Sequence, residues 1–225
     1  MNPLDRPIWS ALTTRQSQFA QGNKLALRFQ ADVEPFAAVG VDDEPSLRAL
    51  TDLIPADDPI LLLQSTPAPL PPGTELLSER TGVQMVAARA ISGDKPAEAV
   101  ALGDDDSPEM IAFAEMTKPG PFRARTHRMG QFWGIRREGV LVAMAGERLK
   151  LPGMTEVSGV CTHPDWRGHG FARALSAFVA DRIQQRGETP FLHAYADNAA
   201  AIALYEALGF TIRCEVAVQV FARSG

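Results

Sequence analysis

Cysteine is nearly absent from this chain: Cys161 and Cys214 are the only two among 225 residues. Two thiols so placed exclude a disulfide framework and match no metal-ligand spacing, which fits a reducing compartment. Histidine is also scarce, and no two of His127, His163, His169 and His193 are spaced to hold zinc. No metal is expected. The formal net charge is −5 and the pI about 5.4, with no block of Lys or Arg. The electrostatic footprint of a nucleic-acid or anionic-membrane binder is therefore missing. No apolar run approaches a membrane span, and Met1 to Pro7 lack the basic start and apolar centre of a secretion signal. A cytoplasmic location is expected. No repeat is present, and the single biased segment is Pro67 to Gly73.

What is present is an ordinary globular composition, 45% hydrophobic and 22% charged, with room for one large domain or two modest ones. One stretch organises it. Met154 to Val160 alternates apolar with small or polar residues, as a strand does. After Val160-Cys161-Thr162-His163-Pro164-Asp165-Trp166-Arg167-Gly168-His169-Gly170, the apolar residues Phe171, Leu175, Phe178, Val179 and Ile183 recur at helical spacing. Gly187 can end that helix. A strand, a glycine turn and a helix start leave free backbone N–H groups and roughly half a positive charge at one point, where a phosphate can sit. Gly168 and Gly170 permit close approach, Ala172 keeps the next turn open, and Arg167 adds a charge.

Spacing separates three phosphate-binding designs. A Walker loop needs Lys and then Ser or Thr after its last glycine, and Phe171-Ala172 stands there. A dinucleotide fingerprint needs a third small residue where Arg173 stands. What remains, Arg-x-x-Gly-x-Ala from Arg167, Gly170 and Ala172, resembles the coenzyme A pyrophosphate loop of the GNAT acyltransferase superfamily. Asn198 to Phe210 is similar to the closing motif of that superfamily, Asn-x-x-Ala-x-x-Leu-Tyr-Glu-x-Leu-Gly-Phe, at every named position. The two motifs follow in the right order, roughly 30 residues apart, one helix-plus-strand unit. The His163 to Gly170 pattern looks closest to the branch that also holds the glycine N-acyltransferases.

The resemblance implies an α/β (α+β) fold, a mixed, mostly antiparallel twisted sheet flanked by helices, over residues 96–225. A boundary is placed near Ser92 to Pro96, and residues 1–95 form an N-terminal companion α/β lobe, either a degenerate repeat of the fold or an unrelated cap. Within that lobe the spacing predicts a helix from Ile8 to Ala20, strands at Leu25–Phe29, Pro35–Val41, Ile60–Leu63 and Val83–Ala88, a helix at Pro45–Ile54, and an extended proline linker at 67–73. The C-terminal strand, Cys214 to Phe221, offers a sheet edge through which a homodimer could form.

By the same resemblance the activity is acetyl transfer from acetyl-CoA to a primary amine of a small molecule or peptide, by direct attack. The cofactor contacts implied are Val160, Cys161, Thr162, Arg167, Gly168, His169, Gly170, Phe171, Ala172, Asn198 and Tyr205. An amine of pKa near 10.4 is rarely neutral at pH 7, a cost of roughly 4.6 kcal/mol that a base or pocket must offset. Glu156, on the strand entering the loop, is the candidate base, directly or through water. Tyr205 is the candidate acid for the departing thiolate, with Asn198 two turns up the same helix and also suited to cap it. Cys161 invites an acyl-enzyme, but a small cysteine on a strand suits a core better. The histidines read as structural, with His163 and His169 the ones placed to donate to phosphate. Trp166 packs the loop, and Phe122 and Arg125 are candidates for the acceptor pocket. The alternative is a non-catalytic acyl-CoA-binding sensor or regulatory module.

Overall fold

The computed structural model describes residues 2–224. In chain order the elements are α1 (Pro7–Thr13), β1 (Ala20–Gly22), β2 (Ala26–Phe29), β3 (Ala37–Val39), α2 (Glu44–Asp52), β4 (Ile60–Gln64) and β5 (Thr74–Ala87). Then follow β6 (Ala99–Leu102), α3 (Ser107–Thr117), β7 (Phe132–Arg137), β8 (Val140–Leu151), β9 (Met154–Thr162), α4 (Phe171–Gln185), β10 (Thr189–Tyr195), α5 (Ala199–Leu208) and β11 (Phe210–Arg223). Among the described residues no helix is long and apolar enough to cross a membrane.

Eight strands make one sheet in the order β4-β11-β5-β10-β9-β8-β7-β6, antiparallel at every junction except β10 with β9. A small antiparallel sheet of β1, β2 and β3 lies apart from it. Alternation along β10 shows how the strands serve two cores. Leu192 packs with Leu175, Val179, Ile183 and Phe210 on the side of α4 and α5. Phe191 turns to the opposite side, toward Ile8, Leu12, Phe29 and Phe36.

Two helices carry end signals the sequence displays openly. α5 starts at Asn198, whose side chain accepts the Ala201 N–H at 3.2 Å, and stops at Gly209, held at φ +110. In α2, Asp43 accepts from the Ser46 N–H at 2.9 Å, and Glu44 faces the helix dipole.

The boundary near residue 95 does not divide the fold. β5 hydrogen-bonds to β10 on one side and β11 on the other, so the first 95 residues supply two strands of the large sheet. The proline segment is extended, as expected, yet it is tied down: Gln219 of β11 accepts from the Ala68 N–H and donates to the Ala68 carbonyl. It is a strap across the sheet rather than a linker between lobes. The dimer edge is corrected for the same reason. β5 takes one flank of β11 throughout and β4 takes the other from Ala217 to Phe221, so of the expected edge only Cys214 to Val216 keep a side free of β4, too short a ladder for a dimer edge.

Candidate functional site

The loop between β9 and α4 is preset by its backbone. Pro164–Trp166 forms a 3-10 turn whose entry His163 caps, accepting the Asp165 N–H at 3.2 Å. Gly168 and Gly170 follow at φ +81 and +78, where a side chain costs about 1–2 kcal/mol. A β-carbon at either would meet no atom within 4 Å, so conformation rather than crowding demands glycine. Among the described residues, no backbone acceptor meets the N–H groups of Gly168 through Arg173. Six donors are therefore left without backbone partners where α4 begins, the arrangement that suits an anion.

From that loop a cleft of about 700 Å³ runs between α4 and α5 to the middle of the sheet. Val160, Cys161, Thr162, Arg167, Gly168, Gly170, Phe171, Ala172, Asn198 and Tyr205 all line it. Its charged residues, Lys118, Arg167 and Arg173, are all cationic. His169 departs from expectation: its Nδ1 lies 3.1 Å from the carbonyls of Trp166 and Arg167, its ring stacks on Phe171, and it does not line the cleft. Among the described residues the buried Thr162 hydroxyl has no partner, and Thr162 lines the cleft.

The cleft meets the sheet where the sheet opens. β9 and β10 pair only from Thr189/Met154 to Phe191/Glu156 and then part. A bulge opposite Met144 to Gly146 gives β9 one extra residue, so that Gly159, at φ +63, and Val160 together face the single residue Ala145. A β-carbon on Gly159 would stand 2.7 Å from Phe132, so both conformation and space fix glycine here. Val160, in the bulge itself, lines the cavities on both sides of the gap.

A second chamber, about 160 Å³, lies through that gap. Val160, Asn198, Ala201, Tyr205, Lys118 and Pro119 border both spaces, and Arg148, His193 and Tyr195 line only the chamber. The two cavities thus reach Tyr205 and Val160 together. Burial pushes the Tyr205 phenol well above its usual range, so it holds its proton at neutral pH. Burial also pushes the Cys161 thiol up to about 12, which leaves no thiolate for an acyl-enzyme.

Glu156 does not line either cavity and is 1% exposed. Its Oε1 accepts from Arg148 Nη2 at 3.0 Å and His193 Nδ1 at 2.8 Å, and its Oε2 from Arg148 Nε at 2.9 Å and the Leu149 N–H at 3.2 Å. Burial opposes its charge, but Arg148 and His193 outweigh burial and hold the carboxyl far below the usual range. A carboxylate so occupied is a poor direct base, and the expectation that Glu156 takes the amine proton itself is corrected on that ground. Its partner His193 faces the chamber instead. Gln84 donates to the Leu4 carbonyl at 2.9 Å and lies 3.0 Å from His193 Nε2, while its oxygen accepts from Arg213. These contacts place the imidazole proton on Nδ1 and the lone pair on Nε2.

Sequence reasoning missed Arg148 and read His193 as structural; it placed the acceptor pocket in the segment from Lys118 to Arg125, of which Lys118 to Pro121 line the chamber. Glu156 and His193 are 37 residues apart on neighbouring strands, a separation that carries no local signal. Phe122 and Arg125 were nearby but wrong: Phe122 packs edge-on against Phe132 at 5.4 Å, and Arg125 pairs with Asp32 at 3.1 Å. His127 is structural, bonded to Asp104 at 2.7 Å. Among the described residues no group of three His, Cys, Asp or Glu is placed to hold a metal.

A mostly antiparallel sheet flanked by helices, with a glycine turn at a helix start, a strand splayed at its end and a buried tyrosine at the junction, defines an α/β fold of acetyltransferase type. The comparisons make that specific. The family model of FR47-like protein matches residues 132–219. A solved structure of a GNAT-family protein from Novosphingobium aromaticivorans is 40% identical, covers 100% of both chains and superposes with a TM-score of 0.94. The chain belongs to the GNAT family. A GCN5-related N-acetyltransferase from Kribbella flavida shares the fold at 19% identity, with a TM-score of 0.68 over 100% of this chain and 98% of that one. [Ribosomal protein bS18]-alanine N-acetyltransferase of Escherichia coli is 38% identical over 77 residues, 34% of this chain and 51% of that enzyme. The chain thus matches about half the length of that curated relative.

Proposed function

We propose that this protein is an N-acetyltransferase that moves an acetyl group from acetyl-CoA to a primary amine within a ternary complex. The observation that carries the reading is the meeting of two cavities at one buried phenol, one entered past six free amides and the other past His193. Acetyl-CoA would supply a thioester. The amides of Gly168 to Arg173, with Arg167 and Arg173, would hold its pyrophosphate. The unpartnered Thr162 hydroxyl and the splayed backbone at Val160 would take the polar groups of its arm.

In the chamber, His193 takes the proton of the incoming amine on Nε2, giving up its contact with Gln84. Glu156 acts as a positioning residue, because its bond to Nδ1 keeps the lone pair on the other nitrogen and stabilises the imidazolium that forms. Tyr205 returns a proton to the thiolate that leaves. A cytoplasmic setting suits chemistry that draws on acetyl-CoA.

Thermal unfolding of the purified chain with coenzyme A and acetyl-CoA tests the reading. Both should raise Tm in proportion to ln(1 + [L]/Kd), and a Gly170→Val variant should lose that shift while still folding. Equal shifts for the variant and the parent, or none for either, would overturn it.

A further inference from the structure

We infer that the acceptor amine carries a carboxylate close to its amino group and that Arg148, seconded by Lys118, reads that carboxylate inside the chamber. The inference rests on the acetyl-transfer reading above and names its substrate class. Arg148 spends Nε and Nη2 on Glu156, while Nη1 has no hydrogen-bond partner among the described residues. That nitrogen belongs to a chamber-lining side chain, with its guanidinium 4.8 Å from the Phe36 ring. Gly120 leaves the space beside it open, since a β-carbon there would come no nearer than 3.9 Å to Nη1. One edge of the fork is fixed by a carboxylate of the protein, and the other edge presents N–H groups to the cavity.

The lining also argues by what it omits. Its charged side chains are Arg148 and Lys118, and no carboxylate lines it. Glu156 sits behind Arg148, and Glu34, fully buried with both oxygens unpartnered, forms no ion pair with it. Glu156 offsets the charge of Arg148, which leaves Lys118 as the surplus cation and the Arg148 Nη1 donors facing the chamber, with no carboxylate among the described lining residues to receive a simple cationic amine. An amino acid brings its own anion. Size agrees, because about 160 Å³ at the ~10–15 Å³ that a water-sized occupant requires gives room for on the order of ten non-hydrogen atoms. Phe36, Leu61 and Val218 complete walls suited to a small apolar side chain.

The test compares glycine, alanine and β-alanine with their carboxamides and with propylamine, following thiol release from acetyl-CoA. The carboxylates should exceed the carboxamides in kcat/KM by at least about 10-fold, the range of a hydrogen bond to a charged group. Lys118→Gln should raise KM for the acids by a larger factor than KM for the carboxamides. Arg148→Lys keeps a cation for Glu156 but loses the fork, and it should narrow the acid preference. Carboxamides or propylamine reacting as well as the acids would overturn the inference. Should no amine turn over, thermal shifts by the same ligands on the unmodified chain, with and without coenzyme A, read the chamber directly. Added stabilisation by acids over carboxamides supports the proposal, and none overturns it. A missing coenzyme A shift would instead count against the acetyl-transfer reading.

Discussion

Arg148 pulls on two buried carboxyl groups, and the balance against burial falls in opposite directions. Glu156 is bonded to it and stays ionised, so its contribution to stability is present above the ordinary value of 4.5 and is lost only as pH falls toward its depressed pKa. Glu34 is 0% exposed, and burial pushes it up to about 8 against the pull of Arg148. A raised carboxyl favours folding while protonated. That contribution is intact below 4.5 and is lost as pH rises through 8. Glu34→Gln removes the titration, so urea unfolding from roughly pH 5 to pH 9 should show the parent losing stability relative to the variant as pH rises. Parallel curves would mean that Glu34 is charged throughout. At Tyr205 the prediction is kinetic. Tyr205→Phe should lower kcat by about 10²-fold, the low end of general acid catalysis, with the coenzyme A thermal shift retained. An unchanged kcat would leave the tyrosine as a packing residue, in contact with Phe210 at 6.1 Å between ring centroids.

Among the elements, the glycine loop and α5 were legible because their information is local. Glycine at positive φ, a cap residue and a helical stripe each fall within a few residues of one another. Glu156 was legible as a carboxylate on the right strand, but its office depends on Arg148, which a second bulge in β8 brings opposite it between the pairs Glu147/Val157 and Lys150/Thr155. β5 was half legible. Val83 to Ala87 showed an apolar run, whereas residues 75–81 are exposed and carry no alternation, so nothing local marks them as strand. The bulge at Gly159 is the element on which the gap between β9 and β10 depends. Gly159→Ala would force a β-carbon against Phe132 at a positive φ, and it should cost about 1–3 kcal/mol in urea unfolding. It should also weaken the coenzyme A thermal shift. A stable variant with an unchanged shift would show that the bulge does not set the gap.

For the whole molecule, the N-terminal residues are structural partners of the motif-bearing half. α1 is followed by Gln16, 1% exposed, which donates to the Met129 and Arg148 carbonyls and accepts from the Lys150 N–H. Phe36, Leu61 and Leu63 wall the chamber, so it is assembled from both halves. A fragment of residues 96–225 would lose β5 from between β10 and β11 and expose a ladder on each. It should show no cooperative transition in circular-dichroism melting, and a sharp transition would restore the boundary near residue 95.

The sequence by itself determined the family, the glycine turn, the helix that follows and the tyrosine at the closing motif, because each is written in residues that are neighbours along the chain. Only the tertiary structure decided that β5 completes the sheet, that Glu156 is committed to Arg148 and His193, and that a positively lined chamber faces the cleft across a splayed strand. Those features join residues tens of positions apart, and their chemistry arises from burial and pairing, which no spacing in the chain records.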